Sequence, residues 1–372
     1  MSQAAVLIGT MSLMIVGTAL FVFVLEASTD VMLQPPLTPL EPMSLVSQKG
    51  VPLDTTVIAQ IRAHPAVEHT IPVYVLTPIE IAIPPMMIDY PVEAYGVTAE
   101  DMAYLMELYG LELAEGHLPR PNTNDIVIPW TVAQNRDIQV GDVIGSRDHP
   151  VYPGAPKLPS ELVVSGILAP DEDSWLSFLS LEFVNAYQDY WRGDLSLIVV
   201  PKAGQRAALD GWLENEIDGE RRTVFTYGKQ EAWWQDQANT ILFTTLLMES
   251  IVALVAALAL VGLNYIFVTQ RRSEFGVLNA LGFGHLRLVW RVVRETLFTT
   301  GAAWLAGLLG CAVILLGMQQ AVYAPVGLGI DFFNPTPWLF TLPVPVAVLA
   351  VSAGAVIWAL SRLDPVAVIE RR

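Results

Sequence analysis

Four long apolar runs divide the chain. Ala4–Leu25 holds 22 residues without a charge, and Thr240–Val268 holds 29 with the single acid Glu249. Val292–Met318 is apolar apart from Arg294 and Glu295 near its start, and Trp338–Leu360 holds 23 uncharged residues. Each exceeds the roughly 20 residues that an α-helix needs to cross a hydrocarbon core about 30 Å thick. The first run is longer than the apolar stretch of a secretory signal and has no basic residue before it, so it too reads as a span.

Between the first two runs the patterning becomes that of a folded domain, residues 27–238. Pro52–Ala63 predicts a helix opening near Asp54, with Val57, Ile58 and Ile61 as its apolar positions and Pro65 ending it. Val73–Leu76 and Ile79–Ile83 read as two strands separated by Pro78. Asp101–Leu113 repeats apolar residues at helical spacing (Met102, Leu105, Met106, Tyr109). Asn124–Trp130, Gln139–Ile144 and Glu161–Leu168 read as strands, which predicts a β-rich subdomain over about residues 118–170. Ser180–Tyr190 and Ala203–Ile217 read as helices, and Leu195–Val200 and Thr223–Tyr227 as strands. Trp233 and Trp234 suit an interfacial anchor leading into the second span. The fold class expected is therefore an α-helical membrane protein with four transmembrane helices. A large α+β extracytoplasmic domain containing the β-rich part lies between helices 1 and 2.

Charge orients this scheme. The insert 27–238 carries 12 Lys/Arg against 30 Asp/Glu, whereas residues 269–295 carry five Arg against two Glu, and the tail 361–372 three Arg against two acids. The positive-inside rule places the loop 270–290, the tail and both termini in the cytoplasm. It places the insert and the loop 319–337 outside. The strongly acidic insert argues against nucleic acid as a partner.

Several kinds of chemistry are absent from the sequence. There is no GxxxxGK[ST] phosphate loop, no HExxH, no CxxC and no GxSxG. The lone Cys311 excludes an intrachain disulfide. His64 and His69 flank Pro65 at poor ligand spacing, and the acids Asp171, Glu172 and Asp173 read as a solvated loop. Neither a cofactor nor a metal is expected, and the chain reads as a non-catalytic subunit.

The loop after the second run is more specific. Arg271 and Arg272 mark a membrane exit, and Phe275, Leu278, Leu281 and Gly282 follow as a short apolar patch. His285–Arg294 then opens a basic amphipathic helix. On composition alone this loop would lie on the inner leaflet. The run EFGVLNALGF, Glu274–Phe283, resembles the inner loop of FtsX/MacB-type (type VII) ABC transporter permeases. The C-terminal Leu363–Ile369 resembles that family's terminal helix, and NDIVIP, VGDVI and ELVVSGIL resemble its outer strand series. The order of one span, a large outer domain and three spans is also the family's. Asn279 and Phe283 depart from its loop pattern. Family members usually carry a basic amphipathic segment before the first span, and this sequence opens almost at the span.

The resemblance implies a permease subunit that pairs with a second permease copy or a similar permease. It also implies a cytoplasmic ABC ATPase dimer below, and an extracytoplasmic adaptor or substrate protein as a further partner. Glu274, Phe275, Gly276, Leu278, Leu281 and Gly282 would form the ATPase-coupling helix. The work done would be mechanotransmission, in which ATP hydrolysis moves the outer domains to export or extract a lipid, lipoprotein, peptide or other amphiphile. The alternative is a regulatory membrane protein that activates an outer partner such as a cell-wall hydrolase.

Within the spans, Ala303, Gly307 and Cys311, with Ala302, Ala306 and Gly310 alongside, have the small-xxx-small spacing of close helix packing. Glu249 is an ionisable candidate inside the second span. Pro343 and Pro345 are expected to kink the fourth.

Overall fold

The computed structural model describes residues 2–48, 51–83, 88–146, 149–150, 161–170, 175–187, 195–237 and 285–350, with scattered positions between 239 and 258 and residue 354. The chain divides into two compact units. One gathers Met1–Glu26, Asn239–Gln319 and Ile330–Arg372, and the other Ala27–Ala238 with Gln320–Gly329.

The second unit is built on one ten-stranded mixed sheet. Its strands are β1 (Ser44–Gln48), β2 (Val67–Ile83), β3 (Ile88–Val97), β4 (Leu113–Gly116), β5 (Asp125–Ile128), β6 (Val143–Ile144), β7 (Leu162–Leu168), β8 (Ser177–Ser180), β9 (Leu195–Pro201) and β10 (Arg222–Phe225). Their order is β10-β1-β9-β2-β3-β8-β5-β7-β4, with β6 also on β7. All neighbours are antiparallel except β3 with β8 and β5 with β7.

Both faces of the sheet are covered by helices at its β10–β2 end. On one face lie α2 (Thr55–Ala63) and α6 (Arg206–Trp212). Val57 and Ile61 of α2 and Leu209 of α6 pack with Val46, Leu197, Val199 and Val224. On the other lies α3 (Ala99–Tyr109), whose Met102 and Leu105 pack on Ile71, Val73, Tyr95, Val97 and Ile198. Local chemistry sets the helix ends. Asp54 accepts the Thr56 amide at 2.9 Å, Thr98 caps Asp101 at 3.1 Å, and Gly110 closes α3 in the left-handed conformation.

Several elements differ from the sequence expectation. Pro78 does not split two strands. It sits in a register shift between Leu76 and Ile79 within the single 17-residue β2, where a residue without an N–H is tolerated. Trp130 does not end a strand but opens α4 (Trp130–Arg136) after Pro129. Only Val143–Ile144 of the expected strand Gln139–Ile144 pairs, because Gln139–Asp142 closes a turn at 3.1 Å. Strands β5 to β7, expected as a separate β-rich part, lie in the same sheet as the rest, and Leu113, expected to end a helix, instead opens β4. Finally, α6 passes into a π turn at Leu213–Ile217.

The chain enters this sheet from α1 (Ser2–Leu37) through the short turn Thr38–Leu40 and β1. It leaves through β10 into a helix, α7, over residues 227–237. β1 and β10 are paired, Leu45 facing Phe225 and Gln48 facing Arg222. Between β8 and β9 runs α5 (Leu181–Ala186), capped by the Ser180 hydroxyl.

In the first unit, α8 (His285–Met318) is one continuous helix. Among the described residues one helical stretch, Val293–Val326, is long and apolar enough to cross a membrane; Met11–Ala27 and Pro335–Ala350 are apolar but shorter. The expected span 240–268 falls largely outside the described residues. α9 (Pro335–Phe340) ends at Thr341, and helix resumes at 343–350 after a two-residue break. Pro343 therefore stands in a first helical turn, where its missing N–H costs nothing.

Candidate functional site

The six residues of the expected coupling loop, Glu274, Phe275, Gly276, Leu278, Leu281 and Gly282, lie outside the described residues, as do Glu249 and the acids 171–173. Of the small residues of the third apolar run, Ala303, Gly307 and Cys311 line a tight seam, whereas Ala302 and Ala306 are exposed. Ala303 and Cys311 are fully buried. A side chain at Gly307 would place its Cβ 2.8 Å from Ile15 and 3.0 Å from the Ser12 carbonyl, and one at Gly310 would meet Val16 at 3.2 Å. Ser12 Oγ donates to the Ala303 carbonyl at 2.8 Å. Met11, Ala303 and Val348 complete the cluster with Ile8.

Toward the other end of this unit, Phe23 meets Trp338 edge-on at 4.7 Å, and Asn334 Nδ2 donates to Glu26 Oε2 at 2.8 Å. Trp304 Nε1 donates to Thr341 Oγ1 at 2.9 Å. These bonds satisfy polar groups where water would be scarce. Outward, Leu13, Phe298, Leu309 and Val313 are about 70% exposed, an apolar surface suited to lipid.

The outer sheet carries its polar groups in small, satisfied sets. Glu93, half-buried, receives the Tyr95 hydroxyl at 3.2 Å. Burial pushes its carboxyl upward, with the Tyr95 bond opposing. Tyr90 is raised to about 12 by burial and then by Glu93. Asp125 is buried at the start of β5, and Arg120 Nε donates to it at 2.9 Å. Arg136 at the end of α4 binds Asp89 at 2.8 Å and the Glu80 carbonyl at 2.7 Å. The two histidines weighed as ligands are occupied otherwise: His64 stacks on Trp212 at 4.3 Å, and His69 reaches Asp101 at 3.4 Å. Among the described residues no group of three or more His, Cys, Asp or Glu converges as a metal site.

One contact joins segments far apart in the chain. The segment Gln320–Gly329, between α8 and α9, belongs to the outer unit. Asn135 of α4 accepts the Ala82 amide at 2.8 Å, and its amide donates to the Ala82 carbonyl at 3.0 Å and the Val326 carbonyl at 3.3 Å. Gln134 reaches the Pro325 carbonyl at 3.4 Å. Gly327, with φ of 72°, lies where a Cβ would be 3.4 Å from both Gln134 and Trp130.

The apolar seam and the outward apolar surface belong to one unit, and the acidic sheet to the other. Residues 247–365 match the family described as FtsX-like permease C-terminal. The matched range includes the loop 270–290, the seam residues of α8 and the segment 320–329. Among solved structures, the chain is similar to the periplasmic region of MacB from Actinobacillus actinomycetemcomitans. Identity there is 9%, covering 53% of this chain and 94% of that one, with a TM-score of 0.32. It is also similar to the extracellular domain of the noncanonic ABC-type transporter YknZ from Gram-positive bacteria, at 11% identity over 49% of this chain and 100% of that one, with a TM-score of 0.29. No curated protein matches it.

Proposed function

We propose that this chain is the membrane subunit of an ABC transporter that turns ATP hydrolysis by a separate ATPase into movement of its outer domain. The match of residues 247–365 to the FtsX-like permease family carries the reading. The 372 residues contain no phosphate-binding loop, so in this reading the energy would be supplied by an ATPase outside them. The Arg-rich loop at 269–295 is the natural place for that partner to dock. Phe275 and Leu278 would fill an apolar cleft, Glu274 would pair with a base, and Gly276 would permit close approach. With this loop inside, the net-acidic domain lies outside the cell membrane and both termini lie within. The large outer domain and the lack of a catalytic constellation favour mechanical work on an amphiphile, lipid, lipoprotein or peptide. A second permease copy and an outer adaptor or substrate protein would complete the assembly.

Co-purification from membranes tests this reading. The wild-type chain should bring down an ATPase, and Phe275→Asp with Leu278→Asp should abolish the association while the chain still inserts. Retained association would remove the coupling role. Absence of any ATPase from the wild type would remove the permease reading and leave a membrane-anchored binding module. Stimulation of an outer hydrolase without cargo release would replace transport by regulation.

A further inference from the structure

One short helix bonds to both chain connections of the outer sheet. Entry runs through Thr38–Leu40 and β1, exit through β10 and α7, and the two strands are paired at one end of the sheet. Over them lies α6 with its π turn. Leu209, Leu213 and Ile217, each fully buried, fix it against Val46 of β1 and Val224 of β10.

A second row, also at four-residue spacing, is charged: Arg206, Asp210, Glu214 and Asp218. Arg206 Nη2 donates to the Leu40 carbonyl, and its guanidinium lies 5.5 Å from the Tyr227 ring. The Ser44 hydroxyl donates to Asp210 Oδ1 at 2.5 Å. The Thr226 hydroxyl donates to Glu214 Oε1 and also accepts the Lys229 amide at 3.2 Å, capping α7. Asp218 receives the Val224 amide at 3.1 Å and Lys229 Nζ at 2.5 Å. Every member of the row thus touches entry or exit, and Arg206 touches both.

In a regular α-helix, residues four apart drift by about 40° per step, so a row of four would wind off its target. The bond from the Asp218 amide to the Leu213 carbonyl at 3.0 Å spans five residues. That wider turn rotates less per residue, counters the drift and keeps both rows aligned. Ser44 and Thr226 are 1% and 0% exposed, so their hydroxyls have no water to fall back on and their bonds to carboxylates are firm.

From this we infer that α6 is a clamp that ties the entry strand to the exit helix. A pull arriving on either connection then moves the sheet as one body instead of sliding β10 along β1. Arg206, Asp210 and Glu214 act as positioning residues for that transmission, which rests on the permease reading above.

The test uses the full chain reconstituted with its ATPase, read by hydrogen exchange of β9 and β2 with and without ATP. Ser44→Ala with Thr226→Val removes two hydroxyls at nearly constant volume, and Arg206→Met removes the remaining shared contact. We expect the ATP-driven change in exchange to fall by about five-fold or more in these variants, while ATP hydrolysis and ATPase association stay within about two-fold of wild type. Arg206→Lys and Glu214→Gln, which keep a donor and an acceptor, should restore the change. Should the combined variant fail to fold, Ser44→Ala and Thr226→Val singly supply the same comparison. Variants that keep the full ATP-driven change, or that lose it only by losing the ATPase, overturn the clamp and leave the permease reading standing. A wild type with no ATP-driven change overturns both.

Discussion

Asp125 is the least expected residue of the outer domain. It was read only as the polar start of a strand, yet it is a carboxyl 4% exposed at the head of β5. Burial pushes its pKa up, but hydrogen bonds from Arg120 and Thr123 reverse that push and hold the carboxyl below the ordinary range. A carboxyl depressed in the fold contributes stability above its unfolded value, about 3.9, and loses it as pH falls through the folded value. Arg120→Ala leaves burial less opposed, so the variant should melt below wild type at about pH 7. The gap should close as the pH falls below the carboxylate range, which thermal unfolding across that range would measure. A gap that stays constant with pH would assign Arg120 a packing role only. None of this was legible beforehand, because Arg120 and Asp125 meet across a turn and no periodic pattern marks a turn-spanning pair. The spacing of Ala303, Gly307 and Cys311, by contrast, is itself a helical repeat and is visible in the sequence.

Among the elements, helices were read more faithfully than strands. Asp54 is legible as the start of α2 because helical periodicity and capping chemistry are local, whereas the expected start of α3 at Asp101 falls three residues after its cap, Thr98. β1, β3 and β8 escaped notice. β8 is four residues buried throughout, so it shows no alternation, and β3 carries Pro91 within it. Such strands are defined by partners far along the chain, Ala94 with Ser177 for instance. The contact between α1 and α8 is where element packing makes a sharp prediction. At Gly307 any Cβ meets the Ser12 backbone carbonyl, which cannot rotate away, so Gly307→Leu must separate the helices and break the Ser12–Ala303 bond. A loss of about 1–3 kcal/mol is expected from this overpacking. Gly301→Ala and Gly317→Ala meet nothing within 4 Å, and should be neutral or slightly stabilising through helix propensity. Thermal unfolding of the three variants in detergent separates these outcomes. Equal stability for Gly307→Leu and the controls would mean that the seam opens freely.

At the scale of the whole molecule, sequence order and spatial grouping part company at one place. Residues 320–329 follow α8 directly, yet they are built into the unit that begins at Ala27. The sequence could not announce this, because the segment is held through backbone carbonyls, at Pro325 and Val326, and a carbonyl leaves no mark in side-chain pattern. The side chain that grips it, Asn135, lies in a short helix of which the sequence pattern marks only the first residue, Trp130, and that as the end of a strand. Its amide also closes both backbone groups of Ala82, so one residue joins the end of β2 to the incoming segment. Asn135→Ala therefore strips three bonds at once and should leave half-buried backbone groups unpaired, at a cost of about 1–3 kcal/mol. The loss should be local. Hydrogen exchange on the full chain should quicken at Ala82 and across 327–328, while β1, β9 and β10, which share no bond with Asn135, keep wild-type protection. If all strands quicken together, the segment is part of the sheet's global stability; if only 327–328 does, Ala82 is held by the β-ladder alone and the two sides of Asn135 are independent. The local, two-sided pattern would make the segment between α8 and α9 a fastening of the outer sheet, in addition to the two connections that meet at α6.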